Sequence, residues 1–162
     1  MLNRNAMHLY VLYKKEGHWT NGSSETVVRA LCNLIDLHEE LVYTNGRPAF
    51  INSKFFLSVS HSEKVMVIAI ASQPIGIDLE KNKDLKPEVI QRLNLDQNKP
   101  LIDWCQREAT IKLFNDPDYL LKKAPEGTFF RLENVYDAFT CVVAAQNPLP
   151  EAKIYHLDEN AL

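Results

Sequence analysis

Ile75-Gly76-Ile77-Asp78-Leu79-Glu80 alternates apolar and acidic side chains directly after the breaker Gln73-Pro74. Successive strand residues point to opposite faces, so Ile77 and Leu79 share one face while Asp78 and Glu80 share the other. Two acids on one face repel and raise each other's pKa, a penalty that a hard, oxygen-seeking cation such as magnesium removes. The alternative is a half-exposed strand whose acids meet solvent while Ile77 and Leu79 pack inward. The stretch by itself admits both.

Working upstream, Val65 to Ala71 is an unbroken apolar run and Phe55 to Ser60 is a further strand. Asn45-Gly46-Arg47-Pro48 reads as a tight turn. Asn21-Gly22-Ser23-Ser24 ends on a helix cap, and Val27, Leu31, Leu34 and Ile35 recur at helical spacing, which predicts an amphipathic helix over 24–39. Met7 to Lys15 predicts a first strand. Downstream, residues 81–100 turn polar and predict a connector with one short helix. Leu101 to Phe114 regains helical periodicity until Asp116-Pro117 stops it. Thr128 to Glu133, Ala138 to Ala145 and Lys153 to Leu157 are strand-like.

Strands are thus grouped, with a helix in each half, a pattern of α+β rather than alternating βαβ. The expected organisation is an N-terminal half over 1–80, the connector 81–100 and a C-terminal half over 101–162. Each half would be a helix packed on a small, mainly antiparallel sheet.

Of the 162 residues, 46 % are hydrophobic and 24 % charged, which allows a proper core and argues against disorder. A net charge of −3 gives no basic field for nucleic acid, so an anionic ligand needs local cations or a metal. The five histidines show no metal-ligand spacing, and Cys32, Cys105 and Cys141 read as reduced, buried thiols. The apolar stretch Leu9 to Tyr13 is too short for a signal core or a membrane span, so the expected location is cytoplasmic.

Two further elements carry chemistry. In Trp104-Cys105-Gln106-Arg107-Glu108-Ala109-Thr110-Ile111-Lys112, Glu108 and Lys112 share a helix face. They form either a surface ion pair or a site in which Glu108 takes a metal or proton and Lys112 a phosphate. Ser58-Val59-Ser60-His61-Ser62 ends an apolar strand, where His61 either meets an anion or caps a turn. No GxSxG elbow is present, so acyl-enzyme chemistry is poorly supported.

Taken in order, Gly46-Arg47-Pro48, Ser60-His61-Ser62, Gly76-Ile77-Asp78-Leu79-Glu80 and Trp104-x-x-Arg107-Glu108-Ala109-x-x-Lys112 resemble the 4'-phosphopantetheinyl transferase superfamily, in particular its Sfp-type branch. The resemblance runs from about residue 45 to 112 and implies the family's pseudo-two-fold α+β fold. It implies transfer of 4'-phosphopantetheine from coenzyme A to a serine of an apo acyl or peptidyl carrier protein. Magnesium would be held by Asp78, Glu80 and Glu108, with 3',5'-ADP released. Glu108 is the implied base and Lys112 the implied phosphate contact, both counted as catalytic. Gly46, Arg47, Pro48, Ser60, His61 and Lys112 would bind coenzyme A.

Departures are Arg107 where lysine is usual, Asn115 where glycine often stands, and a short N-terminal portion offering only Lys14, Lys15 and Arg29 against the 3'-phosphate. The connector, which helps relatives grip the carrier, is brief. The competing readings are a non-catalytic module for coenzyme A or a carrier, and a metal-dependent phosphohydrolase. Neither the carrier nor a choice between monomer and homodimer follows from the sequence.

Overall fold

The computed structural model describes residues 2–162. The chain is α+β. In order it forms β1 (Met7–Tyr13), α1 (Ser24–Leu34), β2 (Glu40–Thr44), β3 (Arg47–Ile51), β4 (Phe56–Ser62), β5 (Val65–Ala71) and β6 (Ile75–Lys81). Then follow α2 (Pro87–Arg92), α3 (Pro100–Phe114), β7 (Phe129–Glu133), β8 (Phe139–Ala145) and β9 (Ala152–Asp158).

A four-stranded sheet has the order β4-β5-β1-β9, a three-stranded sheet the order β6-β8-β7, and β2-β3 form a separate hairpin. All pairings are antiparallel except β1 with β9. The sheets do not follow the sequence halves. β6 joins the late strands β7 and β8, while the last strand, β9, returns to β1.

The apolar run of β5 is explained by a sheet covered on both sides. Val65, Val67, Ala69 and Ala71 join Ile75, Ile77 and Leu79 of β6 and Cys141, Val143 and Ala145 of β8 in a core shared by the two sheets. Met66, Ile68 and Ile70 point the other way, onto Val28, Leu31 and Cys32 of α1. A third cluster seats Cys105 and Ala109 of α3 on Val142 and Ala144 of β8. The layers therefore run α1, first sheet, second sheet, α3. Each fully buried Leu or Ile contributes roughly 1.5–3 kcal/mol, so these clusters dominate the stability.

Several strand ends shift by one or two residues from the sequence reading, and two differences have a clear cause. The first helix stops at Leu34 rather than near 39, because Asp36 enters the left-handed region (φ 57°) and Leu37 N–H turns back to the Cys32 carbonyl. The turn read over 45–48 is confined to Asn45-Gly46, both at positive φ, the requirement of a two-residue hairpin. Arg47 and Pro48 already belong to β3. Within the connector, the expected short helix is α2, opened by Pro87 at its first turn. No described helix is long and apolar enough to cross a membrane.

The seam between the sheets decides where the site lies. β6 is the edge of its sheet, so alternate N–H groups have no strand partner. Ser58, Ser60 and Ser62 fill that gap: their Oγ atoms accept hydrogen bonds from Ile77, Leu79 and Lys81 N–H, each at 3.0 Å. Hydroxyls two residues apart share one strand face, so β4 presents a row of acceptors in step with the β6 donors.

Candidate functional site

With Ile77 and Leu79 committed to the inter-sheet core, Asp78 and Glu80 face α3. Asp78 is only 4 % exposed, which removes the solvent-facing alternative for it. α3 reaches β6 closely because Gly76 leaves room: a Cβ there would stand 2.0 Å from the Ala109 carbonyl oxygen. Helix periodicity then turns Cys105, Glu108 and Lys112 toward the acids while Ala109 rests on the sheet.

Lys112 Nζ lies 3.5 Å from Asp78 Oδ1 and donates to the Val59 carbonyl at 3.3 Å. Its pairing partner is therefore Asp78 across the helix–sheet junction, rather than Glu108 one turn back. Ser60 Oγ donates to the same Asp78 Oδ1 at 3.4 Å. Trp104 Nε1 donates to Glu80 Oε1 at 3.4 Å. Asp78 Oδ2 is buried with no hydrogen-bond partner.

The electrostatics bind the acids into one group. Burial pushes the Asp78 carboxyl up, Lys112 draws it back, and the charge of Glu108 raises it again. Glu80 is raised by burial and then by Asp78. Glu108 is raised by burial, eased by Lys112, raised by Glu80 and eased by Arg47. Each acid feels at least one of the others, the mutual repulsion expected of carboxylates sharing a site.

The other site residues fall around this group. Arg47 donates to the Ile111 carbonyl and to Asn115 Oδ1, both at 3.4 Å, which ties the β2–β3 hairpin to the end of α3. Gly46 supplies the hairpin turn and Pro48 sits in β3. Ser60 faces β6, whereas its neighbour His61 points to the other face of β4 and pairs through Nε2 with Asn21 Oδ1 at 3.1 Å. Burial and the Lys112 charge hold the His61 pKa down.

Sequence reading missed Ser58, Ser62, Trp104 and Cys105 as parts of this junction. The period-two row of hydroxyls in an otherwise apolar strand was the available signal for the serines. Trp104 and Cys105 gave none beyond their place in the motif.

Among the described residues, no three His, Cys, Asp or Glu side chains form a ready-made cage for a metal ion. The chemistry of the donor set nonetheless suits a hard cation: three carboxylates that raise one another's pKa, one with a bare buried oxygen. Compared with known protein families and curated proteins, the chain matches no family model and no curated sequence.

Proposed function

We propose that this protein transfers 4'-phosphopantetheine from coenzyme A to a serine of an apo acyl or peptidyl carrier protein, releasing 3',5'-ADP. The observation that carries the reading is the convergence of Asp78 and Glu80 of β6 with Glu108 and Lys112 of α3 in one buried-edge site. The motif succession from Gly46-Arg47-Pro48 to Lys112 supports it independently.

In this reading Asp78, Glu80 and Glu108 hold magnesium, which would offset the diphosphate charge and the charge developing on the leaving group. The nucleophile belongs to the carrier. Its serine oxygen bonds to the β-phosphorus of coenzyme A as the bond from that phosphorus to the bridging oxygen breaks. The serine proton passes to Glu108, directly or through a water. Arg47 and Lys112 supply the positive charge that a diphosphate requires near the end of α3. β6 and α3 belong to one chain, so the reading needs no second copy, and the expected setting is the cytoplasm.

A non-catalytic module for coenzyme A or a carrier has one observation in its favour: Lys112 is engaged by Asp78 and the Val59 carbonyl. Intact-protein mass spectrometry separates the two. The chain is incubated with coenzyme A, magnesium and a panel of apo carriers. A phosphopantetheine mass gain on a carrier is the expected result. Coenzyme A binding without any such gain would overturn the transferase reading in favour of the module. Free phosphopantetheine without an acceptor would point to a hydrolase.

A further inference from the structure

We infer that Ser60 and Lys112 clamp one oxygen of Asp78 and leave the other, Oδ2, available to a ligand, which makes Ser60 a positioning residue rather than a contact to coenzyme A. The inference rests on the proposed carboxylate site and assigns a residue within it.

The bonding of Ser60 is nearly complete. Its side chain lies in a residue only 5 % exposed, and its Oγ already accepts Leu79 N–H at 3.0 Å. A hydroxyl has one proton to give, and here it is directed to Asp78 Oδ1 at 3.4 Å. Lys112 brings its ammonium to the same oxygen at 3.5 Å while tethered to the Val59 carbonyl of β4. Both donors are thus anchored on β4, and both approach the same carboxylate oxygen. Oδ2 is buried without a nitrogen or oxygen donor, and the other groups beside the carboxyl are the Cys105 thiol, a weak donor, and the Glu108 carboxylate.

An ion pair serving stability alone would satisfy both oxygens, because a bare buried acceptor is costly. The asymmetry instead fixes the carboxylate plane and reserves one lone-pair set. Partners of this kind orient metal-binding carboxylates and tune their affinity. Ser58 supplies an internal comparison. It forms the same 3.0 Å bond to β6, at Ile77 N–H, and is equally buried, yet its hydroxyl bonds only that backbone donor and no carboxylate.

The test compares Ser60→Ala with Ser58→Ala in the full chain. Thermal midpoint, magnesium affinity by calorimetry and the 13C shift of the Asp78 carboxyl in metal-free protein are read for each. The carboxyl signal is assigned by its loss in Asp78→Asn. Both alanine variants should lower the midpoint, since each loses a hydroxyl acceptor for a β6 N–H, and Ser60→Ala should lower it further because its bond to Asp78 goes as well. Only Ser60→Ala should weaken magnesium about tenfold or more and move the Asp78 signal. Equal magnesium affinity and an unmoved signal in Ser60→Ala would overturn the clamp. Failure of the wild-type chain to bind magnesium would instead sink the proposed function, and the metal-free carboxyl signal would then decide the clamp by itself. If Ser60→Ala does not fold, Ser60→Cys, close in shape but a weak donor, replaces it with the same expectations.

Discussion

Gly76 of β6 lies directly beneath Ala109 of α3: a Cβ at residue 76 would stand 2.0 Å from the Ala109 carbonyl oxygen and 2.6 Å from Leu113 N. Both opposing atoms are backbone, so no rotamer change relieves the overlap. α3 can seat Glu108 and Lys112 against Asp78 only because this residue has no side chain.

Gly76→Ala should therefore push α3 off β6, at a cost of at least the ~1–3 kcal/mol typical of overpacking. Gly22→Ala is the control, because nothing lies within 4 Å of a Cβ there. Urea denaturation should show a clear loss for the first variant and little change for the second. Unchanged stability in Gly76→Ala would mean that the helix does not sit where its neighbours require.

The acid group sets the pH dependence of the metal-free protein. Asp78, Glu80 and Glu108 all have folded pKa values above their ordinary ones. The folded state then binds more protons than the unfolded state, so stability falls as pH rises from the ordinary carboxylate value of about 4 through the raised values. His61, held low, acts the other way and adds stability as pH approaches its ordinary value of about 6.5. Asp116 and Asp158, held low chiefly by backbone hydrogen bonds, matter only below the carboxylate window. The comparison that isolates the acids is wild type against Asp78→Asn/Glu80→Gln/Glu108→Gln. The wild-type midpoint should fall relative to the triple amide as pH rises through that window. A constant difference would refute the coupling.

Arg107 holds three segments together. Its guanidinium donates to the Leu93, Leu120 and Asn94 carbonyls at 2.6, 2.9 and 3.0 Å and pairs with Asp103 at 3.1 Å. Lysine, usual at this place in the family that the chain resembles, has a point charge and cannot match a planar fork serving several acceptors. Arg107→Lys should lose about 1 kcal/mol, since bonds to half-buried carbonyls are given up. Hydrogen exchange should quicken around residues 93–94 and 120 first. Uniform protection in the variant would show that the fork is dispensable.

Much of this fold was legible because periodicity and burial agree. Val65 to Ala71 is apolar throughout because both faces of β5 are covered, and the alternation in β6 survives because only one face meets the core. The β2–β3 hairpin was not legible: its strands are half-exposed and mixed in composition, and only Asn45-Gly46 marks it. The exchange of β6 and β9 between sheets has no local signature, since pairing over such separations is decided by the whole core. Within the site, the shared face of Asp78 and Glu80 followed from period two. The diversion of Lys112 from Glu108 to Asp78 did not, because it depends on how closely Gly76 admits α3. Asn115, a departure in the sequence, is explained by conformation: it caps α3 in the left-handed region (φ 52°), a place glycine commonly takes and asparagine tolerates.

Asp78 and Glu108 should fail differently when each is neutralised, and that difference tests the double duty given to Glu108. Asp78→Asn removes an oxygen of the proposed magnesium site and leaves Lys112, 18 % exposed, without its ion-pair partner. Transfer should fall by about 10²–10³-fold, the scale of losing one group that stabilises charge in the transition state. Its dependence on pH should keep the wild-type shape, because the base is intact. Glu108→Gln removes both roles proposed for Glu108, ligand and base, so a loss of about 10²–10⁴-fold is expected from the proton-transfer role. The wild-type rate should rise with pH through the folded pKa of Glu108, which burial and Glu80 push up. At saturating magnesium, which keeps Asp78 and Glu80 ionised, that acidic limb should vanish in Glu108→Gln. Single-turnover rates with a carrier that accepts phosphopantetheine, measured across pH for both variants, provide the check. An acidic limb that persists in Glu108→Gln would assign the proton to another group and leave Glu108 as a ligand only.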